Sequence, residues 1–260
     1  MSDSIVLVQT DDPAVAVITF NRPDKRNALN VALIEQITQA VAAASADPAR
    51  RVIILNGNGP SFCAGLDLSE ASEVGAAGRS AEALARMYAA IGNSPLVTIA
   101  AAHGAAMGGG AGILAACDFV VAADDLKIAY PEVRRGLVAA LVTCLLHRQL
   151  NDRAVREVIL LGENIPAPRA LAMGLVTQVV PANSLMDAAL ELARRACQGA
   201  PGAIARTKRL LDDLAARPLG EDLRKALDYH LQARHSAEAA EGIAAFREKR
   251  EPRWGPRADT

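Results

Sequence analysis

The stretch PLVTIAAAHGAAMGGGAGILAAC, residues 95–117, decides how this chain is to be read. It contains no Asp, Glu, Lys or Arg and is about as long as the ~20 residues a bilayer-crossing helix needs. Its composition argues against a membrane. Ala and Gly dominate it, His103 and the three glycines 108–110 interrupt it, and basic flanks are absent, so its insertion free energy is poor. The other reading is a buried strand over LVTIAAA, 96–102, then a glycine-rich turn, then a short helix that begins near Gly109.

Further β-branched runs surround that unit: SIVLVQT at 4–10, VAVITF at 15–20, VIILNG at 52–57 and FVVAAD at 119–124. Between them the segment from Ala28 to Ala46 places Leu33, Ile34, Ile37, Val41 and Ala44 at helical spacing and stops before Asp47-Pro48. Strands alternating with helices predict an α/β fold with right-handed crossovers. After about residue 139 helices take over: AALVTCLLHRQL, DRAVREVILLG, NSLMDAALELARRACQG with Asn183 as its N-cap, and PGAIARTKRLLDDLAA starting at Pro201. Two more amphipathic helices are expected between Gly220 and Arg250. No Pro- or Ser-rich linker and no tandem repeat divides the chain, so residues 1–195 read as the core and 196–260 as a helical region packed on it or on a neighbouring subunit.

Composition narrows the class. Of 260 residues, 51% are hydrophobic and 22% charged, enough apolar material for a core, which excludes disordered and low-complexity chains. A net charge of -1 gives no pull toward nucleic acid or anionic lipid, and 3% aromatics leave no stacking platform for bases. Cys63, Cys117, Cys144 and Cys197 form no CxxC pair and have no His at zinc-ligand spacing, so they read as reduced fillers and no metal is expected. The start MSDSIVLVQTDD carries acids where a secretory signal needs basic residues, which predicts a cytoplasmic protein.

Four segments carry chemistry: NRPDKRNAL at 21–29, SFCAGLDL at 61–68, HGAAMGGGAG at 103–112 and YPEVRRGL at 130–137. In the second and third, small residues follow a strand and precede a helix, where backbone N–H groups lack intrahelical partners. Two such groups converging on one oxygen form an oxyanion hole, and the helix beginning near Gly109 adds its positive end. Glu132, just past the strand KIAY, is placed to project from a loop near the same pocket, where desolvation raises its pKa. Plainer readings stand beside these. The glycines serve tight packing, or Gly110, Gly112 and Ala115 imitate a dinucleotide fingerprint with Asp124 ending the next strand, although the helix is short and the turn is late for that motif. Taken alone, Glu132 is a solvated carboxylate, His103 and His147 are packing or surface histidines, and Ser61 lacks a hydrolase elbow. Asp118 bonds backbone, and Arg134 and Arg135 form a solvated pair.

In this order the four segments resemble the enoyl-CoA hydratase/isomerase family, the crotonase superfamily, over nearly the whole chain. NRPDKRNAL resembles its N-terminal CoA loop, SFCAGLDL its F-x-A-G-x-D-L signature, and HGAAMGGGAG its N-G-x-x-x-G-G-G segment with His103 in place of Asn. PEVRRGL, the AxxxGLV pattern at Ala170–Val176, Lys208 in RTKRLL, and EGIAAFREKREPRW also match. The resemblance implies a crotonase-like spiral of ββα units with a C-terminal helical trimerisation region, and a homotrimer or dimer of trimers.

It further implies an oxyanion hole from the N–H groups of Leu66 and Gly109, with Gly65 and Gly108 beside them. Ala64, Asp67 and Leu68 would line the adenine and pantetheine site. Lys25, Arg26 and Ala28 would lie near the CoA phosphates and adenine, with Phe246 and Lys249 supplied by the C-terminal helix, often across a subunit interface. CoA enters as part of the substrate, with no separate cofactor, and residues 69–90 form a loop and helix over the acyl pocket.

One departure stands out. Family hydratases carry a glutamate three residues after the oxyanion glycine and a second about twenty further on. Here the first position is Gly112, and Glu132 falls on the second. A single carboxylate suits proton transfer in isomerisation, and some family hydratases work with it alone. The absent side chain implies space at Gly112 for a bulkier acyl group or a water. The expected activity is hydration or double-bond isomerisation of an enoyl-CoA through a thioester enolate. Decarboxylation or C–C cleavage of an acyl-CoA on the same fold, and CoA-ester binding without catalysis, are the alternatives.

Overall fold

The computed structural model describes residues 4–67, 76–215 and 217–254. Leu68, one of the expected CoA contacts, lies outside them, as do the first residues of the expected loop over the acyl pocket. Strand β1 (Val6–Gln9) pairs antiparallel with β2 (Val15–Phe20). Parallel to β2 run β3 (Val52–Gly57), β4 (Val97–Ala102), β6 (Phe119–Ala123) and β9 (Gln178–Val180), in the order β1-β2-β3-β4-β6-β9. A smaller sheet has the order β5-β7-β8, from β5 (Ala105–Met107), β7 (Lys127–Ala129) and β8 (Ile165–Pro166).

Two isolated parallel bridges, Leu29 with Leu66 and Cys63 with Ala106, lead from the early chain to β5. Each turn of the chain therefore gives a strand to the large sheet, a shorter extended piece to the second layer, and then a helix. The first turn is β2, Leu29 and α1 (Val31–Ala46); the second is β3, residues 63–66 and α2 (Ala76–Gly92); the third is β4, β5 and α3 (Gly109–Ala116). This is the spiral of ββα units that the resemblance implies.

Strand β4 is buried at all six positions, as expected of a parallel strand covered on both faces. On one face Ile53, Leu55, Ala100, Ala102 and Ala122 pack with the apolar stripe of α1 and with Met87 and Ile91 of α2. On the other, Val52, Ile54, Ile99, Ala101 and Val121 pack with Leu185, Ala189, Leu192 and Ala193 of α7 (Leu185–Ala196). Burying each large aliphatic side chain contributes about 1.5–3 kcal/mol, so this double-sided core fixes the strand ends that carry the site.

Helices α4 (Ala140–Gln149), α5 (Asp152–Leu161) and α6 (Ala167–Met173) precede α7, and α8 (Pro201–Asp213), α9 (Leu219–Arg234) and α10 (Ala237–Glu248) follow it. Leu219, Leu223 and Ala226 of α9 join the main core against α2 and α4. Two local expectations are corrected. The first helix starts at Val31 rather than at Ala28, with Asn30 capping it by accepting from Leu33 N at 3.0 Å, because Leu29 is still extended in its bridge. Asn183 does not cap α7: it sits in a 3-10 turn, Ala182–Ser184, that runs directly into the helix. No described helix is long and apolar enough to cross a membrane, and residues 96–102 lie within the large sheet's core.

Candidate active site

The chain after β3 is stitched on both sides. Cys63 N donates to Ala105 O and Met107 N to Cys63 O, each at 3.0 Å, while Leu29 N donates to Gly65 O at 2.8 Å and Asp67 N to Leu29 O at 2.9 Å. This leaves the Leu66 N–H between two bonded neighbours, with no backbone acceptor of its own among the described residues. Gly65 has φ +90°, and a Cβ there would lie 2.7 Å from Met107 O and 3.7 Å from the Gly109 nitrogen. Only glycine fits that conformation and that approach. The Gly109 N–H opens α3 and likewise meets no backbone acceptor among the described residues. The structure thus brings the Gly65–Leu66 turn against the start of α3, with the Gly109 nitrogen 3.7 Å from a Cβ on Gly65.

Glu132 reaches the same place from the other sheet. It sits in the 3-10 turn Pro131–Arg135 that follows β7, and Gly108 N donates to Ala129 O at 2.8 Å, tying the glycine turn to that strand. A Cβ on Gly108 would come within 2.9 Å of Glu132 Oε1, so the carboxyl group rests on the glycine backbone. Glu132 Oε2 is buried without a hydrogen bond among the described residues. Burial raises the Glu132 pKa from 4.5 to about 7, against the opposing pull of its own backbone amide and the Arg135 charge. A carboxyl group so poised both takes and gives a proton near neutrality.

The expected space at Gly112 is not there. A Cβ on that residue would collide with the phenol oxygen of Tyr88 and lie 2.5 Å from its Cζ. Tyr88, on α2, is fully buried and donates from Oη to Gly109 O at 2.7 Å. The volume left by the missing carboxylate is filled by a phenol, so Gly112 itself admits no bulkier acyl group.

The NRPDKRNAL segment lies against the Leu66 turn. Ala64 N donates to Arg26 O at 2.9 Å, Arg22 pairs with Asp67 at 3.2 Å and also donates to Ala28 O. Asn27 is buried in a left-handed conformation and donates to Asn58 O at 2.9 Å and Ser61 O at 2.8 Å, holding the two loops in register. Lys25 and Arg26 are exposed beside Ala28 and Ala64, as cations for a phosphorylated ligand must be. Phe246 lies elsewhere: Arg135 stacks over its ring at 4.3 Å, and α10 packs on the Glu132 turn. This corrects the solvated Arg134–Arg135 pair, since only Arg134 is exposed, where it pairs with Glu163. Lys249 ends α10 in a left-handed conformation, and the structure shows neither it nor Phe246 joined to Lys25, Arg26 or Ala28.

The histidine that replaces asparagine, His103, bonds Gly59 O at 2.8 Å and supports the loop. Asp118 accepts from Thr98 N and Oγ1 and from Lys208, a structural network. Cys63 is buried, with its thiol pushed up to about 12, and is no nucleophile. No cluster of three metal-ligating side chains occurs among the described residues. Sequence reasoning missed Arg22, Tyr88 and Tyr130. Tyr130 stands two places before Glu132 in the YPE triplet, a signal that was available, whereas nothing in α2 marks Tyr88 except its bulk among alanines.

Comparison with known proteins shows the family and the fold. Residues 10–257 match the family described as enoyl-CoA hydratase/isomerase. A Thermus thermophilus protein provisionally named enoyl-CoA hydratase is 36% identical, across 95% of this chain and 100% of that one. The 2,3-dehydroadipyl-CoA hydratase of Escherichia coli is 32% identical, across 95% and 97%. Among solved structures, an enoyl-CoA hydratase from Mycobacterium avium superposes with a TM-score of 0.84 at 35% identity, covering 96% of this chain and 99% of that one.

Proposed function

The chain belongs to the enoyl-CoA hydratase/isomerase family, and from that premise we propose that it is an enzyme acting on an enoyl-CoA thioester, with Glu132 as its single proton-transfer group. The observation that carries this reading is the Glu132 carboxyl group packed on Gly108, one residue from the Gly109 N–H.

The thioester oxygen accepts from the Leu66 and Gly109 N–H groups, which stabilise the negative charge that develops there. In hydration, a water oxygen bonds to C3 while one water proton passes to Glu132. The π electrons move to the thioester oxygen as an enolate, and Glu132 returns a proton to C2, so the elements of water add across the double bond. In isomerisation of a 3-enoyl thioester, Glu132 removes a proton from C2 and delivers one to C4. Lys25 and Arg26 attract the CoA phosphates, and CoA is consumed and released only as part of the thioester. Copies associate through the C-terminal helical region, where α8 leaves Leu210 and Leu211 exposed; light scattering tests that association.

The test is Glu132→Gln assayed on crotonyl-CoA and 3-hexenoyl-CoA. We expect CoA-ester binding to persist and turnover to fall by a factor of about 10² to 10⁴. Full turnover in this variant would overturn the assignment. Turnover of a malonyl-type thioester with release of CO₂, and no reaction with either enoyl-CoA, would move the reaction class to decarboxylation.

A further inference from the structure

The start of α3 is built on Gly108, Gly109, Gly110 and Gly112, and no side chain caps it. Glycine loses more backbone freedom on ordering than any other residue, so such a turn must be held from outside. The peptide that joins Gly108 to Gly109 is held at its carbonyl, where Gly112 N donates to Gly108 O at 3.0 Å. The Gly109 N–H lies on the opposite edge of that planar trans peptide, so whatever fixes the carbonyl also aims the donor.

Tyr88 bears on both residues that decide this aim. Its Oη donates to Gly109 O at 2.7 Å, and its ring takes the place of a Gly112 side chain, with Cζ 2.5 Å from a Cβ there. From elsewhere the turn is backed by Cys63, whose carbonyl oxygen lies 2.6 Å from a Cβ on Gly110. The surroundings of Gly109 are otherwise apolar: a Cβ on it would lie 3.4 Å from Leu84 Cδ2, 3.5 Å from Leu29 Cδ1 and 3.6 Å from Tyr88 Oη. All three side chains are buried, so the phenol's bond to Gly109 is shielded from water and correspondingly strong. Burial, and to a smaller extent the Glu132 charge, holds the Tyr88 pKa well above its ordinary value, and the hydroxyl remains a donor around neutrality.

We propose that Tyr88 is a positioning residue for the oxyanion donor: its hydroxyl and ring hold the Gly108–Gly109 peptide so that the Gly109 N–H faces the thioester oxygen. The inference rests on the acyl-CoA reading and deepens it. Residue 112 supplies no carboxylate, and the volume it gives up is used to brace the group that stabilises the enolate. Tyr88 exchanges no proton, so its effect falls equally on every reaction that passes through that enolate.

The experiment compares wild type, Tyr88→Phe and Ile91→Val in the full chain. Tyr88→Phe removes the hydroxyl and keeps the ring, while Ile91→Val loosens the same helix in the core and leaves the Gly109 bond intact. Infrared difference spectra of carbonyl-labelled butyryl-CoA read the polarisation of the bound thioester, and steady-state kinetics follow crotonyl-CoA and 3-hexenoyl-CoA. We expect wild type to move the carbonyl stretch below its value in water and Tyr88→Phe to return it most of the way. In that variant kcat should fall about tenfold or more on whichever substrate turns over, with KM within about threefold, because outright loss of an oxyanion donor costs about 10² to 10³. Ile91→Val should lower stability and leave both readings as in wild type. A carbonyl stretch that Tyr88→Phe does not move would overturn the proposal, whatever happens to kcat, and so would Ile91→Val changing the stretch as much as Tyr88→Phe does. Failure of wild type to bind butyryl-CoA is a separate result, and it would overturn the acyl-CoA reading itself.

Discussion

Tyr88 occupies the place where a side chain on Gly112 would stand, its phenol oxygen inside the volume of a Cβ and its Cζ 2.5 Å from that position. The large residue on α2 and the absent one on α3 are therefore one packing unit. Gly112→Ala must displace a fully buried ring or shift α3, at a cost of about 1–3 kcal/mol. Tyr88→Ala leaves a cavity and costs about 3–5 kcal/mol. Combined, the two fit each other, so the double variant should be more stable than the sum of the singles by at least about 0.5 kcal/mol. Urea unfolding of the four proteins measures this coupling; strict additivity would show that the ring moves aside freely.

The raised pKa of Glu132 is also a statement about stability. Burial lifts it from 4.5 to about 7, so the fold favours the protonated carboxyl. Its contribution is fully present below pH 4.5 and is lost as the pH rises through 7, where the native state must hold a buried charge. Glu132→Gln removes that penalty. The variant should exceed wild type in stability at pH 8 by up to about 3 kcal/mol and converge on it near pH 4. Denaturant midpoints at the two pH values decide the matter, and equal midpoints at the higher one would mean that water reaches the carboxylate.

The same group sets the activity profile. Proton removal by Glu132 needs the carboxylate, so kcat/KM for isomerisation should rise through about pH 7. The Arg135 charge opposes the effect of burial on Glu132. Arg135→Met should accordingly shift the profile to higher pH, and an unchanged midpoint would show that the guanidinium, stacked over Phe246, is too well screened to be felt.

What could be read from sequence was what local chemistry fixes. The runs at 52–57 and 97–102 are strands because they are mostly apolar and β-branched or small, and Gly65 and Gly108 are glycines because their backbones take positive φ. Those features locate the Leu66 and Gly109 N–H groups and Glu132. The filling of Gly112 was hidden because it depends on how α2 crosses α3, and helical periodicity tells which face is buried without telling what it meets. The partnership of Arg135 with Phe246 was hidden for a similar reason: it joins residues more than a hundred positions apart. Asn183 was misplaced because a turn of 3-10 helix before α7 makes a separate side-chain cap unnecessary.

Helix α10 makes backbone contact with the turn that carries Glu132, and this gives a final prediction. A Cβ on Gly242 would collide with the Arg135 carbonyl and lie 2.7 Å from its Cα, while one on Gly136 would collide with Glu238 O and lie 2.8 Å from Ala239 N. Two glycines thus let α10 and the turn touch backbone to backbone, where no side chain can yield. Gly242→Ala must push the turn, and with it the Glu132 carboxyl group, out of register with Gly108. Gly220, in the first turn of α9, is the control, because a Cβ there meets nothing within 4 Å. Helix propensity alone makes glycine-to-alanine favourable by up to about 1 kcal/mol, and Gly220→Ala should be neutral or stabilising with full activity. Gly242→Ala should instead destabilise by about 1–3 kcal/mol and lower kcat more than it raises KM, since a carboxyl group displaced by about 1 Å costs on the order of a hundredfold. Thermal unfolding and steady-state kinetics on the two variants check this, and equal behaviour would mean that α10 is free to move without the turn.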